Sequence, residues 1–201
     1  GVYDNTLIVF LSDNGGRTDE GASNFPLRGV KGDTWEGGFR VPMFFHWPNQ
    51  VPAGQRFDYP VSALDFYPTF ARLAGATIPA GKKLDGKDIW GDFTGGRDPH
   101  QGSMIYALRY RGAHCDVAGR SGQWKVTKMN NTPWKLFDVG KDIAESRDLS
   151  AQFPDRLKRM VGEVERWSQS HVRPRWFDNE KAEEDWDKNG MPNYAATFRI
   201  N

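Results

Sequence analysis

The sequence predicts an α/β protein, in which part of a mostly parallel sheet is followed by a small antiparallel sheet packed with a helix. Three observations predict it. The apolar run Thr6-Leu7-Ile8-Val9-Phe10-Leu11 stops at Ser12-Asp13-Asn14-Gly15-Gly16, and such an unbroken β-branched and aromatic run reads as a strand buried on both faces. A short helical pattern occupies 62–75. Short strand candidates at 103–108, 123–128 and 134–138 precede a helical period from about Pro154 to Ser170.

Taken in order, the first strand is followed by a glycine-rich polar loop to about Phe25 and then by Pro26-Leu27-Arg28-Gly29. Val41 to Trp47 is a second strand candidate, kept short by Pro42 and Pro48. In the helical pattern Asp65 can cap, Pro68 falls in the first turn, and Gly75 is a natural stop. Residues 81 to 99 are rich in glycine and charge and read as a linker. This places a boundary between 1–98, the α/β part, and 99–201, a small α+β part with a tail that wraps another surface. In the long helix Leu157, Met160, Val161, Val164 and Trp167 recur at i, i+3, i+4, i+7 and i+10, one apolar face. Left exposed, Leu7 to Leu11 would pair or aggregate. Their burial is worth roughly 8–15 kcal/mol, which points to further strands beside them.

Composition narrows the function. Apolar residues make up 38% and aromatics 13%, which excludes disorder for most of the chain. Lys+Arg at 27 against Asp+Glu at 26 argues against a nucleic-acid binder that relies on bulk charge. The single cysteine, Cys115, excludes an internal disulfide and a cysteine-cluster metal site. No apolar run is long enough to span a membrane, and Gly1-Val2-Tyr3-Asp4 does not read as an export signal.

Asp13 and Asn14 sit where the first strand ends, the place where open α/β sheets bind ligands. Their carboxylate and amide oxygens suit a hard divalent cation, and the same residues also make an ordinary turn. Lys31, between flexible neighbours, could extend a compact positive charge to a tetrahedral anion, or simply be an exposed loop lysine. Glu36 and Arg40 suit a scaffold pair. Of the histidines, His46 reads as a core or edge residue, His100 as exposed, and His171 as a partner for the helix C-terminus. Arg109 to Asp116 reads as a loop in which Arg111 and His114 could contact an anionic substrate. Cys115 lacks any nucleophile signature. Asp178 to Lys188 carries six carboxylates and reads as a solvated face.

Several blocks, in order, resemble the type I sulfatases, the arylsulfatases and sugar sulfatases of the alkaline-phosphatase-like superfamily. They are Asp4 through Gly16, Pro26-Leu27-Arg28-Gly29 through Lys31-Gly32, and Trp35-Glu36-Gly37-Gly38-Phe39-Arg40-Val41-Pro42. Asp65-Phe66-Tyr67-Pro68-Thr69, Leu73-Ala74-Gly75, Leu84-Asp85-Gly86, Gln123-Trp124-Lys125 and Leu136-Phe137-Asp138 follow. The resemblance covers about Tyr3 to His171. It implies that Asp13 and Asn14 ligate a divalent cation, usually Ca²⁺, that Lys31 contacts the sulfate ester, and that Glu36, Arg40 and Pro42 are structural. Arg111 and His114 fall where the family varies its substrate pockets.

The family's nucleophile is a formylglycine made from a Cys/Ser-x-Pro-x-Arg motif, and this sequence contains no such motif. The resemblance therefore implies a carboxyl-terminal portion of a sulfatase, partnered by an amino-terminal portion that carries the nucleophile, and inactive by itself. The implied substrate is a sulfated small molecule or glycan, and the implied setting is periplasmic, secreted or lysosomal. The alternatives are a non-catalytic module that binds anionic sugars or packs on a partner, and a phosphoesterase of the same superfamily.

Overall fold

In a computed structural model of the protein, residues 1–111, 114–130 and 132–191 are described, without the side chain of His114. They form two compact units that interleave in sequence. One holds residues 1–10 and 43–105, the other residues 11–42 and those from Tyr106 onward. This division differs from a single boundary at 98/99, because the glycine-rich segment after the first strand folds with the carboxyl-terminal sheet.

In the first unit β1 (Ile8–Leu11) is hydrogen-bonded beside β2 (Met43–His46). Among the described residues this strand is covered on one face only, so the flanking strands that its apolar run calls for are not among them. Ile8 and Phe10 are 43% and 58% exposed, and only Val9 and Leu11 turn partly inward. Phe10 stacks on Phe44 at 5.0 Å, so the outward face is an aromatic pair with no layer over it among the described residues. The inward side carries an aromatic cluster in which Phe45 lies 4.6 Å from Phe93 and 6.1 Å from Phe66.

The predicted helix at 62–75 is present in two pieces, a 3₁₀ turn at Ala63–Asp65 and α2 (Phe66–Leu73), following a one-turn α1 (Glu36–Phe39) in the other unit. The cap differs from expectation. Ser62 is the capping residue, its hydroxyl accepting from Leu64 N–H, while Asp65 Oδ2 accepts from Ser62 N–H. Gly75 ends the element at φ 68°, the left-handed conformation that favours glycine. The linker expectation for 81–99 is corrected too, since that stretch contains α3 (Trp90–Thr94) and the fully buried Ile89.

The second unit is built on a four-stranded sheet in the order β3 (Ile105–Arg111), β4 (His114–Ser121), β5 (Trp124–Met129) and β6 (Lys135–Asp138). β4–β5 and β5–β6 are antiparallel, with Ala118 opposite Thr127 and Val126 opposite Leu136. β4 was not foreseen, because its charged and glycine residues conceal the alternation. α4 (Pro154–Gln169) lies against β4 and β5, burying Leu157, Met160, Val161 and Val164 as their spacing predicts. Trp167 is half-buried and stacks on Tyr106 at 4.4 Å.

The acidic stretch is more than a solvated face. It forms α5 (Glu180–Asn189), capped by Asn179, with Ala182 and Trp186 buried and Tyr110 set edge-on to Trp186 at 5.1 Å. Tyr194 and Phe198, expected in the wrapping tail, lie outside the described residues. No helix among the described residues is long and apolar enough to cross a membrane.

Candidate functional site

The loop after β1 opens directly onto Asp13 and Asn14. Ser12 Oγ donates to Asn14 O at 2.9 Å, tightening the turn. The two side chains meet, with Asn14 Nδ2 donating to Asp13 Oδ1. Rotating that amide by half a turn, which leaves its shape unchanged, presents two oxygens side by side. Asp13 is exposed and Asn14 half-buried. The donor set fits a hard cation as part of its coordination. It is incomplete, since six to eight oxygens are usual and no group of three His, Cys, Asp or Glu that could hold a metal occurs among the described residues.

Lys31 stands on a separate turn that is tied to the same loop. Asp33 N–H donates to Val30 O at 2.9 Å, and Val30 N–H donates to Asp33 Oδ2 at 3.0 Å. Lys31 therefore occupies the second position of a four-residue turn, and Gly32 the third. Gly32 has φ 93°, a position that calls for glycine. Arg109 Nη1 holds this turn from β3 by donating to Gly32 O at 2.9 Å. Lys31 N–H donates to Gly16 O at 3.2 Å, joining the turn to the Asp13-Asn14 loop. The Lys31 ammonium is exposed and has no ion-pair or hydrogen-bond partner among the described residues.

Beneath both loops lies α1. Gly15 N–H donates to Gly38 O at 2.9 Å, and the backbones approach so closely that a Cβ on Gly15 would lie 1.7 Å from Gly37 O. α1 is in turn fixed by a buried ion cluster. Lys125 Nζ on β5 lies 3.1 Å from Glu36 Oε1 and 2.8 Å from Glu145 Oε1, all three side chains being fully buried. Arg120 Nη1 and Arg40 Nη1 reach Glu36 Oε2 at 3.1 and 3.3 Å. Glu36 N–H donates to Glu145 Oε2 at 2.6 Å. Burial works to raise the Glu36 carboxyl, and the ammonium and guanidinium charges outweigh it and hold it below its ordinary value. At Glu145 burial dominates and pushes the carboxyl up, although Lys125 works against it.

The other candidates fall elsewhere. Arg111, at the end of β3, pairs with Asp178 at 3.4 Å, so its charge is partly engaged by the tail. The expected loop from Arg109 to Asp116 belongs largely to the β3–β4 strands, and the side chain of His114 is outside the described residues. Cys115 is buried in β4. His46 is an exposed edge residue bonded to Tyr3 Oη at 2.6 Å. His100 is corrected from exposed to buried, its Nε2 lying 2.8 Å from Asp65 Oδ2. His171 Nδ1 sits 3.0 Å from Ser168 O and 3.1 Å from Trp167 O, capping α4 as expected.

Sequence reasoning missed four residues that organise the site. Glu145 and Arg120 give no signal because isolated charges have no period, and Lys125 stands in the Gln123-Trp124-Lys125 block with no role attached to it. Asn24 falls inside the glycine-rich polar loop, where nothing in the sequence sets it apart. The one available clue was Lys125 inside an otherwise strand-like run, where a buried charge demands a partner.

Residues 1–76 match the Sulfatase family. The chain is 28% identical to the steryl-sulfatase of Rattus norvegicus over 86% of its own length and 36% of that protein's. It is 32% identical to human arylsulfatase D over 75% of its own length and 32% of that protein's. The crystal structure of Ps i-CgsB in complex with k-i-k-neocarrahexaose superposes with a TM-score of 0.92 at 50% identity, covering 98% of this chain and 44% of the other. The chain belongs to the type I sulfatase family. The Pseudoalteromonas sp. sulfatase PsFucS1, at 23% identity, 95% of this chain, 39% of that chain and a TM-score of 0.66, shares the fold. That fold is α/β and alkaline-phosphatase-like. This sulfatase-family chain spans about a third of the length of the curated relatives it matches.

Proposed function

We propose that this chain is the part of a sulfate-ester hydrolase that supplies cation ligands and an anion-contacting ammonium. The observation that carries the reading is the direct bond between the two loops, Lys31 N–H to Gly16 O. It keeps an unpaired lysine within one short span of the Asp13-Asn14 oxygens.

Asp13 and Asn14 would hold a divalent cation, Ca²⁺ by kinship. When bound, such a cation supplies fixed positive charge that polarises a nucleophile and neutralises sulfate oxygens. Lys31 would orient the sulfate and donate hydrogen bonds to the oxygens on which charge develops, using three donors on a flexible stem. Arg109 holds the turn that carries it. Arg111 and His114 are secondary substrate contacts in this reading. Cys115 is buried and stands in Cys115-Asp116-Val117-Ala118, so the nucleophile, a formylglycine by kinship, belongs to a portion of the enzyme outside this chain. The chain by itself is proposed to be inactive.

The proposed substrate is a sulfated glycan. Support comes from the solved relative at 50% identity, which is described with k-i-k-neocarrahexaose. The proposed setting is periplasmic, secreted or lysosomal, in keeping with the family.

The test is hydrolysis of aryl sulfates and sulfated oligosaccharides by the full-length protein, with Lys31→Ala and Asp13→Ala beside it. The reading expects sulfate release that falls in both variants and with a chelator. Preference for phosphate monoesters, or turnover indifferent to Lys31, would overturn it.

A further inference from the structure

Between the two loops of the site lies a side chain to which neither the residue pattern nor the family resemblance assigns a role. Asn24 Oδ1 accepts from Gly16 N–H at 2.8 Å, and Asn24 Nδ2 donates to Gly16 O at 2.9 Å and to Gly29 O at 3.0 Å. Its amide thus pairs with Gly16 as a neighbouring strand would, and reaches across to Gly29, the residue just before the Lys31 turn. The orientation is unambiguous, because one side faces an N–H and the other faces two carbonyls. Gly16 O accepts from both Asn24 and Lys31 N–H, which uses both of its lone pairs. Asn24 is itself anchored by Leu27 N–H to Asn24 O at 2.7 Å, and its side chain is partly buried.

We propose that Asn24 is a positioning residue that locks the Asp13-Asn14 loop to the Lys31 turn, so that the oxygen pair and the ammonium move as one body. The geometry stands on its own, and only its purpose rests on the function proposed above. The chemistry demands asparagine. An acceptor and two donors must lie in one plane at this reach. Aspartate would aim a carboxylate oxygen at two carbonyls, and glutamine would place the amide a methylene too far. A loop held in this way keeps its two functional groups at a fixed spacing without either touching Asn24.

The test uses the ¹⁵N-labelled chain, its Asn24→Ala and Asn24→Asp variants, and Ca²⁺ as the probe. Amide hydrogen exchange in Asn24→Ala should speed up by about tenfold or more at Gly16 and Lys31, the scale of one or two lost hydrogen bonds. Val126 and Leu136 in the sheet should be unchanged. Asn24→Asp keeps the acceptor for Gly16 N–H, so Gly16 protection should survive while Lys31 protection is lost. Ca²⁺ shifts at Asp13 and Asn14 should need about tenfold more ion in both variants. Equal loss across loops and sheet, or no loss at all, would overturn the proposal. A wild-type chain whose Asp13 and Asn14 amides ignore Ca²⁺ would defeat the cation reading alone, leaving the exchange pattern to decide the role of Asn24.

Discussion

Replacing Lys125 by methionine is the sharpest perturbation of the framework under the site. Lys125 is fully buried between Glu36 at 3.1 Å and Glu145 at 2.8 Å. Its removal leaves Glu36 with Arg120 and Arg40 but takes from the Glu145 carboxylate its one ion-pair partner among the described residues, leaving the Glu36 amide on the carboxylate and Arg28 on the Glu145 backbone carbonyl. Stranding one partner of a buried pair costs about 3–5 kcal/mol, against a net stability of about 5–15 kcal/mol. At about 2–4 °C per kcal/mol for a chain of this size, the midpoint should fall by roughly 10 °C. The assay is thermal denaturation followed by circular dichroism, with exchange at the Val126 and Leu136 amides as the local readout. Adding Glu145→Gln should restore part of the loss, because the unpaired charge is then gone. The deficit should also shrink from neutral toward acid pH, since Glu145, already raised by burial, is protonated more readily without Lys125. A variant that melts within about 2 °C of the parent would refute the reasoning, since so small a change fits surface substitutions.

Lys31→Ala should leave the melting temperature nearly unchanged, because the side chain is exposed and unpaired, while sulfate release by the full-length protein falls by about 10²–10³. Steady-state kinetics and a melt on the same sample check both halves. Gly38→Ala should destabilise the second unit by about 1–3 kcal/mol or more, since the added Cβ would lie 2.1 Å from Asp33 O. Urea denaturation reports the cost, and faster exchange at Gly15 reports the loosened loop. In the first unit, burial tends to raise Asp65, and the hydrogen bond with His100 and the amides of Ser62 and Lys87 outweigh it, leaving the carboxyl below its usual value. The stabilisation is therefore present above the unfolded carboxyl range near 3.9 and is lost as pH falls through the lower folded value. Stability against pH should show this acid limb, and Asp65→Asn should remove that part of the slope.

The fold was legible wherever one residue's environment repeats along the chain. Leu157, Met160, Val161 and Val164 announce their helix by spacing alone, and the run ending at Leu11 announces its strand. β4 hid because its adjacent Val117 and Ala118 are both buried, on opposite faces, and Asp116, Gly119 and Arg120 break the apolar run they would otherwise form. α5 hid because Ala182 and Trp186 form only a narrow apolar stripe among carboxylates. At the site, Asp13, Asn14 and Lys31 could be named because each is a distinctive side chain in a glycine-rich context. Their joining could not, since it depends on backbone bonds from Gly16 and Gly38 and on an ion cluster drawn from residues 36, 120, 125 and 145. His100 reads as exposed from the sequence for the same reason, although it is buried. Its partner Asp65 is 35 residues away, and nothing local to Pro99-His100 signals a buried carboxylate.

The most direct measurement is an anomalous difference map from crystals of the protein grown with calcium and inorganic sulfate. The account predicts a calcium peak about 2.3–2.6 Å from Asp13 and Asn14 side-chain oxygens, with the anion facing the Lys31 ammonium. An ordered loop that leaves calcium elsewhere, or a lysine turned away from the anion, would contradict it.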